Sequence, residues 1–194
     1  MVLAAAIAGC AGGPPALGYA DELLAERAEK DRMFRQDTAS PLLPADQASF
    51  AGLAYFPPDE SYRVPASLRV SPEDARRIIQ MPTSTGLMRD MVRIGSLQFS
   101  LKGQALTLGA FAEATDQRLD RLFVPFTDLT TGPETYAGGR YLDLDRTATG
   151  LYVIDFNRAY HPYCFYNPQY DCPYPPPENR LPVPVRAGER TPDT

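Results

Sequence analysis

The distribution of proline is the feature that most constrains how this chain folds. Nine of its 20 prolines follow residue 160, and five of its 11 tyrosines lie between Tyr160 and Tyr174. Proline fixes φ and has no N–H donor, so such a segment forms neither a long helix nor the middle of a sheet. The same rigidity lets a segment without regular secondary structure hold one shape. We therefore predict an ordered C-terminal wrap that packs on a domain formed by the preceding residues.

The preceding residues alternate between short apolar runs and turns that contain Gly or Pro, which is typical of antiparallel β structure. The predicted strands cover residues 50–56, 62–70, 91–101, 105–113, 122–126, 140–144 and 151–156. The turn at Lys102-Gly103-Gln104 predicts a hairpin, because Gly103 can adopt a positive φ. Pro72 predicts a short helix or turn that begins at Ser71 and ends before Pro82.

Residues 19–36 lack Gly and Pro and place their acidic residues early and their basic residues late, which favours an N-terminal helix. A chain of 194 residues is long enough for one ordinary domain and too short for two. We therefore predict a single mainly β domain over residues 20–190. Its strands form an antiparallel barrel-like or sandwich fold, and residues 191–194 form a loose tail.

The N-terminus resembles the end of a bacterial lipoprotein signal. An uncharged apolar run over residues 2–8 leads into Ile7-Ala8-Gly9-Cys10, which is similar to a lipobox. This resemblance implies a signal segment at residues 1–9, a lipid on Cys10 and a flexible tether over residues 10–19. The protein would then be anchored in the cell envelope and face the periplasm or the exterior. No Lys or Arg precedes the run, so we expect the signal to begin upstream of Met1. The alternative is an apolar tail with a free Cys10 thiol.

Charge and histidine content exclude two classes of function. The chain has 24 acidic and 19 basic residues, and its net charge of -5 disfavours general nucleic-acid binding. Its single histidine, His161, excludes any site within one chain that needs two imidazole ligands. The sequence gives no indication of a cofactor.

An ordered series of motifs resembles the bacterial and archaeal family called domain of unknown function 1684. The motifs are FAGLAYF at residues 50–56, MPTSTG at 81–86, LTTGPETY at 129–136, GRYL at 139–142, DFNRAY at 155–160 and PPPENRL at 175–181. The resemblance covers roughly residues 20–190. It implies one domain without an assigned activity, to which the lipobox is an addition.

Two cysteines lie within the Tyr/Pro-rich segment. In an oxidising compartment Cys164 and Cys172 would form a disulfide that stabilises the fold by about 2–3 kcal/mol. Alternatively, they join His161 and Asp171 as metal ligands, although the paired spacing typical of zinc sites is missing. A third alternative is that both are reduced thiols that only pack.

Polar residues cluster in the last third of the chain and predict a site for a small anionic ligand. The candidates are Arg140, Asp155, Asn157, Arg158, Tyr160, Asn179 and Arg180. Arg140 and Arg158 could bind one carboxylate or phosphate together, while tyrosines supply flat apolar walls. The structural alternative is that these charges pair with one another and pin the Pro-rich segment, with Asp155 and Arg180 as the expected pair.

Two functions follow as expectations. The first is a membrane-tethered binding module for a small anionic ligand or for a protein partner in the envelope. The second is a hydrolase in which His161 acts with Asp155 or Glu178 as acid or base. The sequence identifies neither a substrate nor an oligomeric state.

Overall fold

The computed structural model describes residues 18–72, 77–115 and 120–192. Its helices are α1 (Tyr19–Gln36) and α2 (Pro44–Gln47). Its strands are β1 (Arg63–Arg69), β2 (Arg77–Pro82), β3 (Met88–Leu101), β4 (Gln104–Glu113), β5 (Arg121–Phe126), β6 (Arg140–Asp145) and β7 (Leu151–Asp155). Short 3-10 helices cover Glu60–Tyr62, Phe156–Arg158, Tyr163–Phe165 and Pro177–Asn179. No helix in these described residues is both long and apolar enough to cross a membrane.

All seven strands form one antiparallel sheet that is nearly closed into a barrel, as the sequence predicts. The order is β6-β5-β4-β3-β1-β7, and β2 pairs with the first half of β3. The long strand β3 therefore has two partners on one side, β2 at Met88–Arg93 and β1 at Ser96–Phe99. A bulge between Arg93 and Gly95 separates these halves. A Cβ at Gly95 would lie 2.5 Å from the Arg69 carbonyl oxygen, so only glycine fits where the two strands approach.

The β3–β4 hairpin follows the prediction closely. Leu101 pairs with Gln104, which leaves Lys102 and Gly103 as a two-residue turn. Both have positive φ, 50° and 80°, the backbone twist that joins two antiparallel strands directly.

Two predicted elements are wrong. The short helix or turn predicted between Ser71 and Pro82 partly lies outside the described residues, at 73–76, and from Arg77 the chain is strand β2. Alternating residues Ile79 and Met81 pack on a small apolar cluster, and this packing outweighs the local helix signal. The predicted strand at 50–56 is an irregular segment whose one bridge joins Tyr55 to Glu189.

Two hydrophobic clusters lie on opposite faces of the sheet. The main core fills the barrel and includes Leu97, Leu108, Val124 and Ile154. The smaller cluster consists of Met81, Met91 and Phe111, with Ile79 and Phe123 packed against it. Directly paired residues share a face, and the pairs Met91–Glu113 and Phe111–Phe123 place the small cluster on the outer face.

The C-terminal segment, residues 160–190, is an ordered wrap, as predicted. Leu181, Val183, Val185 and Ala187 are buried in the main core and alternate with exposed residues. The Leu181 N–H donates to the Thr127 carbonyl, and the Leu129 N–H donates to the Val183 carbonyl. The wrap thus runs beside the loop after β5 and adds its apolar side chains to the main core.

The predicted tail and N-terminal segment are only partly described. The Thr191 N–H donates to the Glu134 carbonyl at 3.0 Å, so the first residue of the predicted tail is attached to the domain. Residues 193–194 and 1–17, which include Cys10 and nearly all of the predicted tether, lie outside the described residues.

Candidate ligand-binding site

A cavity lies between the outer face of the sheet and the wrap, and we call it the wrap cavity. It has a volume of about 640 Å³. The sheet contributes Arg89, Met91, Ala112, Glu113, Arg121, Phe123, Tyr141 and Asp143; the wrap contributes Tyr160, Pro162, Tyr163, Tyr170, Asp171, Cys172 and Pro173; and α1 contributes Lys30. Its volume is in the range of small-molecule sites.

Strand pairing explains why the residues of the floor lie together. Phe123 of β5 pairs directly with Asp143 of β6, and Arg121 pairs with Asp145. Met91 of β3 pairs with Glu113 of β4. These residues stand on the outer face, so the small apolar cluster forms a floor that is bordered by charged side chains.

Aromatic rings form much of the wall. The rings of Phe123 and Tyr141 meet edge to face at 4.7 Å, and those of Tyr163 and Tyr170 meet at 5.2 Å. The Tyr160 hydroxyl donates to Asp143 at 2.8 Å, while the Tyr141 hydroxyl donates to the Pro173 carbonyl at 2.5 Å. Burial raises the pKa of both tyrosines, so the two rings stay neutral.

Three cationic side chains line the wrap cavity, and they differ in the length of their ion pairs with carboxylates. Lys30 Nζ lies 2.6 Å from Glu189 and 4.7 Å from the centre of the Tyr160 ring. Arg89 donates to Asp171 at 3.0 Å. Arg121 has the longest pair, 3.7 Å to Asp145, and its side chain is 64% exposed. Arg121 is therefore the cation that a ligand can engage at the lowest cost in existing contacts.

Arg140 is buried and does not reach this cavity. Its side chain is 1% exposed and pairs with Asp128 at 2.7 Å. Its guanidinium also donates to the carbonyls of Val185, Ala187 and Glu189. The predicted clamp of Arg140 and Arg158 around one anion is therefore not formed; Arg140 instead pins the wrap, as the structural alternative proposes.

Asp155, Asn157 and Arg158 do lie together, but their contacts join elements of the fold. Asp155 accepts hydrogen bonds from Tyr19 of α1 at 2.9 Å and from Arg158 at 2.7 Å. Arg158 also binds Glu26 of α1 at 2.7 Å, and Asn157 makes two hydrogen bonds with the Asp59 backbone. These three residues dock α1 and the segment before β1 onto the end of β7.

A second cavity of about 600 Å³ lies beside Asp155 and Arg158, at the open seam between β6 and β7. Tyr160 lines both this cavity and the wrap cavity. Of the seven residues predicted to bind a ligand, Tyr160 is the one that lines the wrap cavity.

Asn179 and Arg180 occupy different environments. Asn179 is buried and accepts from the Gly109 N–H at 2.6 Å while donating to the carbonyls of Gly109 and Pro125. Arg180 is exposed, and Asp155 is paired with Arg158 instead, so the expected pair of Asp155 and Arg180 is wrong. Glu178 pairs with Arg93 of β3 at 2.8 Å.

His161 is buried between Tyr136 and Phe165. Its Nε2 accepts the Tyr136 N–H at 3.2 Å, and its ring centre lies 4.5 Å from that of Phe165. Burial, together with the charges of Arg140 and Lys30, lowers its pKa to about 3. The described contacts join His161 to neither Asp155 nor Glu178, so this geometry gives no support to the predicted hydrolase.

Cys164 and Cys172 are adjacent free thiols in the structure. The Cys164 N–H donates to Cys172 Sγ at 3.3 Å. A hydrogen bond from Cys172 is the main cause that lowers the Cys164 pKa, while the Cys172 pKa is raised. The disulfide stays a prediction. Within residues 18–72, 77–115 and 120–192 no three His, Cys, Asp or Glu side chains are placed to share a metal ion, so the alternative metal site is not formed.

The family model described as "Protein of unknown function (DUF1684)" matches residues 48–190. The chain belongs to the DUF1684 family. The matched residues include all seven strands and the wrap. All residues that line the wrap cavity of this DUF1684 domain lie within the match except Lys30 of α1.

A solved relative has the same fold. The solution NMR structure of an uncharacterized protein from Haloarcula marismortui is 40% identical, with a TM-score of 0.68. The similarity covers 88% of this chain and 93% of that one. No curated protein matches the DUF1684 domain described here.

Sequence reasoning missed most residues of the wrap cavity. Arg89 lies on β3, Arg121 and Phe123 lie on β5, and Lys30 comes from the N-terminal helix. No local motif marks them, because only the strand register brings them together. The abundance of tyrosine after residue 160 was the one signal that indicated the wall of this cavity.

Proposed function

We propose that this DUF1684 domain is a binding module for a small ligand that has a flat apolar body and an anionic group. The wrap cavity is the proposed site. The observation that carries the proposal is a cavity of about 640 Å³ with an aromatic wall and an exposed, loosely paired arginine at its edge.

The aromatic residues support the flat body. Tyr141, Tyr160, Tyr163 and Phe123 offer ring faces and edges, which favour stacked or edge-to-face contact with another ring. Met91 and Phe123 of the small apolar cluster line the cavity and give it an apolar floor.

Arg121 supports the anionic group. Guanidinium binds a carboxylate or phosphate with two parallel hydrogen bonds. Arg121 pairs at 3.7 Å with Asp145, whose side chain is 93% exposed. Because such a surface pair contributes little, exchanging Asp145 for a ligand anion costs little.

Ligand-observed NMR with benzoate as the probe tests this proposal. Benzoate is expected to bind, while benzyl alcohol, which lacks the charge, and cyclohexanecarboxylate, which lacks the flat ring, are expected to bind at least tenfold more weakly. Arg121→Gln should weaken benzoate binding about tenfold, equivalent to about 1.4 kcal/mol.

The matched control is Arg69→Gln, which removes an exposed arginine from β1 outside the cavity. Equal benzoate affinity in wild type and Arg121→Gln, or an equal loss in Arg69→Gln, would contradict the proposed site. Native mass spectrometry of the purified domain would then show whether any other small molecule is carried through purification.

We further propose that a lipid on Cys10 tethers the domain to the membrane of the cell envelope. The support is the lipobox-like Ile7-Ala8-Gly9-Cys10 and the Gly/Pro-containing residues that follow it. Lipid chains contribute about 0.8 kcal/mol of membrane affinity per buried CH₂. Cys10→Ser should move the protein from the membrane fraction to the soluble fraction; an unchanged distribution would contradict the tether.

A further inference from the structure

A third, smaller pocket lies beneath α1 and is separate from the proposed ligand site. Its volume is about 180 Å³. Helix α1 contributes Leu23, Glu26, Arg27 and Lys30, and the rest of the lining consists of Tyr55, Asn157, Arg158, Ala159 and Glu189. We call it the helix pocket.

Arg27 brings an incompletely satisfied charge to the helix pocket. Its side chain is 9% exposed; Nη1 donates to the Phe56 carbonyl at 3.0 Å and Nη2 to the Asn157 carbonyl at 3.2 Å. Its Nε–H is buried and has no hydrogen-bond partner among the described residues. Both direct partners are neutral carbonyls, and among the described residues no carboxylate is hydrogen-bonded to this buried guanidinium; Asp155 and Glu189 act on it only through their charge. A buried charge in this state is costly unless a counter-ion compensates it.

Tyr55 supplies a second unused donor. Its hydroxyl is buried and, within the described part of the chain, has no hydrogen-bond partner. Its ring centre lies 4.3 Å from Arg27 Cζ, so the two groups are neighbours. Burial, the charges of Glu189 and Asp31 and a weak interaction of the hydroxyl with Glu189 raise the Tyr55 pKa. The hydroxyl therefore keeps its proton, which no described residue accepts with hydrogen-bond geometry. Buried donors without partners are rare in folded proteins, and each one needs an explanation.

The other charges of the helix pocket are already paired. Lys30 binds Glu189 at 2.6 Å, and Arg158 binds Glu26 at 2.7 Å. Arg158 also binds Asp155, which does not line the pocket, so Arg27 is the one cation of the lining to which none of these carboxylates is directly bound. Two donors without a partner, one of them on this guanidinium, thus meet in a pocket that is too small for most organic ligands.

We propose that the helix pocket binds a compact monovalent anion, which accepts hydrogen bonds from Arg27 Nε–H and the Tyr55 hydroxyl. Halides and small carboxylates share the required chemistry, because each is a small acceptor that carries one negative charge. Bound there, the anion links α1 to the segment before β1 and neutralises Arg27. The site is independent of the proposed function, since of the wrap cavity residues only Lys30 lines both pockets.

Crystals of the full chain grown with sodium bromide test the proposal directly. Bromide scatters anomalously, so we expect an anomalous peak at hydrogen-bond distance from Arg27 Nε and Tyr55 Oη. A second crystal, grown with sodium acetate as the only small anion, shows whether the pocket also accepts a small carboxylate. In that crystal we expect the electron density of a planar carboxylate in place of the spherical halide. A water molecule at this position in both crystals would overturn the proposal.

Tyr55→Phe tests the same site in solution. It removes one donor and leaves the ring that covers Arg27, so the variant should fold. The measurement is the rise in melting temperature as bromide or acetate is added. The ionic strength is kept constant with the salt of a sulfonate that is too large to enter the helix pocket. We expect the apparent dissociation constant to increase at least tenfold in Tyr55→Phe.

Tyr174→Phe is the matched control, because Tyr174 lines neither the wrap cavity nor the helix pocket. It should leave anion-dependent stabilisation unchanged. Equal anion dependence in wild type and Tyr55→Phe would overturn the proposal, whereas loss of benzoate binding alone would overturn only the function proposed for the wrap cavity.

Discussion

At the residue scale, His161 is a neutral group that the fold keeps from becoming charged. Its Nε2 accepts the Tyr136 N–H, its ring packs on Phe165, and its side chain is 1% exposed. A general base needs a pKa near the working pH, and burial holds the pKa of His161 well below that range.

The low pKa of His161 predicts how stability depends on pH. Its pKa is about 3 in the folded protein and about 6.5 when unfolded. Above pH 6.5 the ring is neutral in both states and has no effect. As the pH falls below 6.5 the unfolded state gains a proton that the folded state does not, so the free energy of unfolding decreases by up to about 1.4 kcal/mol per pH unit until about pH 3.

Urea unfolding of wild type and His161→Gln at pH 7, 6, 5 and 4 measures this effect. Glutamine retains an acceptor for the Tyr136 N–H but does not titrate. The wild-type curve should therefore fall more steeply than the variant curve below pH 6.5. Parallel curves over this range would mean that His161 titrates normally in the folded protein.

At the element scale, the wrap is held by polar contacts from several strands. Arg140 at the start of β6 binds three wrap carbonyls and Asp128, and Asn179 connects the wrap to β4 and β5. Prolines remove many backbone donors from the wrap, so side chains and carbonyls make these connections in place of a strand ladder.

Replacing Arg140 tests this role. Arg140→Ala leaves Asp128 buried without its counter-charge and frees three carbonyls, so we expect the free energy of unfolding to fall by about 3–5 kcal/mol. Chemical denaturation measures the change, and limited proteolysis should cut within the wrap first. Arg186→Ala is the control, because Arg186 lies in the same wrap and makes an exposed pair with Glu134, so its loss should leave the free energy of unfolding nearly unchanged.

Local sequence predicted some of these elements and not others. Strands β3 and β4 were predictable because their apolar residues alternate around a two-residue turn that contains Gly103. Strand β2 was not, since Pro72 and the acidic residues after it carry a helix signal, and its pairing with β3 depends on tertiary contacts. The segment at 50–56 has strand-like residues, but its contacts go to α1 and the wrap, for example through Tyr55.

The candidate sites were harder to predict because they, too, depend on tertiary contacts. The polar residues between Asp155 and Arg180 stood out because they are close in sequence, yet most of them bind α1, β3, β4 or the loop before β1. The residues that line the wrap cavity are spread from Lys30 to Pro173. Strand order and register decide which of them meet, and neither can be read from one sequence.

At the scale of the whole molecule, the redox state of Cys164 and Cys172 depends on the compartment. The two thiols are neighbours, and the low Cys164 pKa favours the thiolate that starts disulfide formation. Cys172 lines the wrap cavity, so a bond to Cys164 would fix one wall of the proposed ligand site. A reducing cytosol keeps both thiols free, whereas an oxidising envelope compartment favours the bond.

We therefore predict that the protein recovered from the periplasm carries a disulfide between Cys164 and Cys172. Its denatured mass should be about 2 Da below that of the reduced chain, because the bond removes two hydrogen atoms. The bond should raise the free energy of unfolding by about 2–3 kcal/mol relative to a Cys164→Ser, Cys172→Ser variant measured in the same compartment.

The same protein produced in the cytosol is the internal control and should have the full reduced mass. A reduced mass in both preparations would contradict the disulfide and leave Cys172 as a free thiol in the wall of the wrap cavity. Because the thiols then stay available to alkylating reagents, protection of Cys172 by benzoate would become a second measure of ligand binding at that wall.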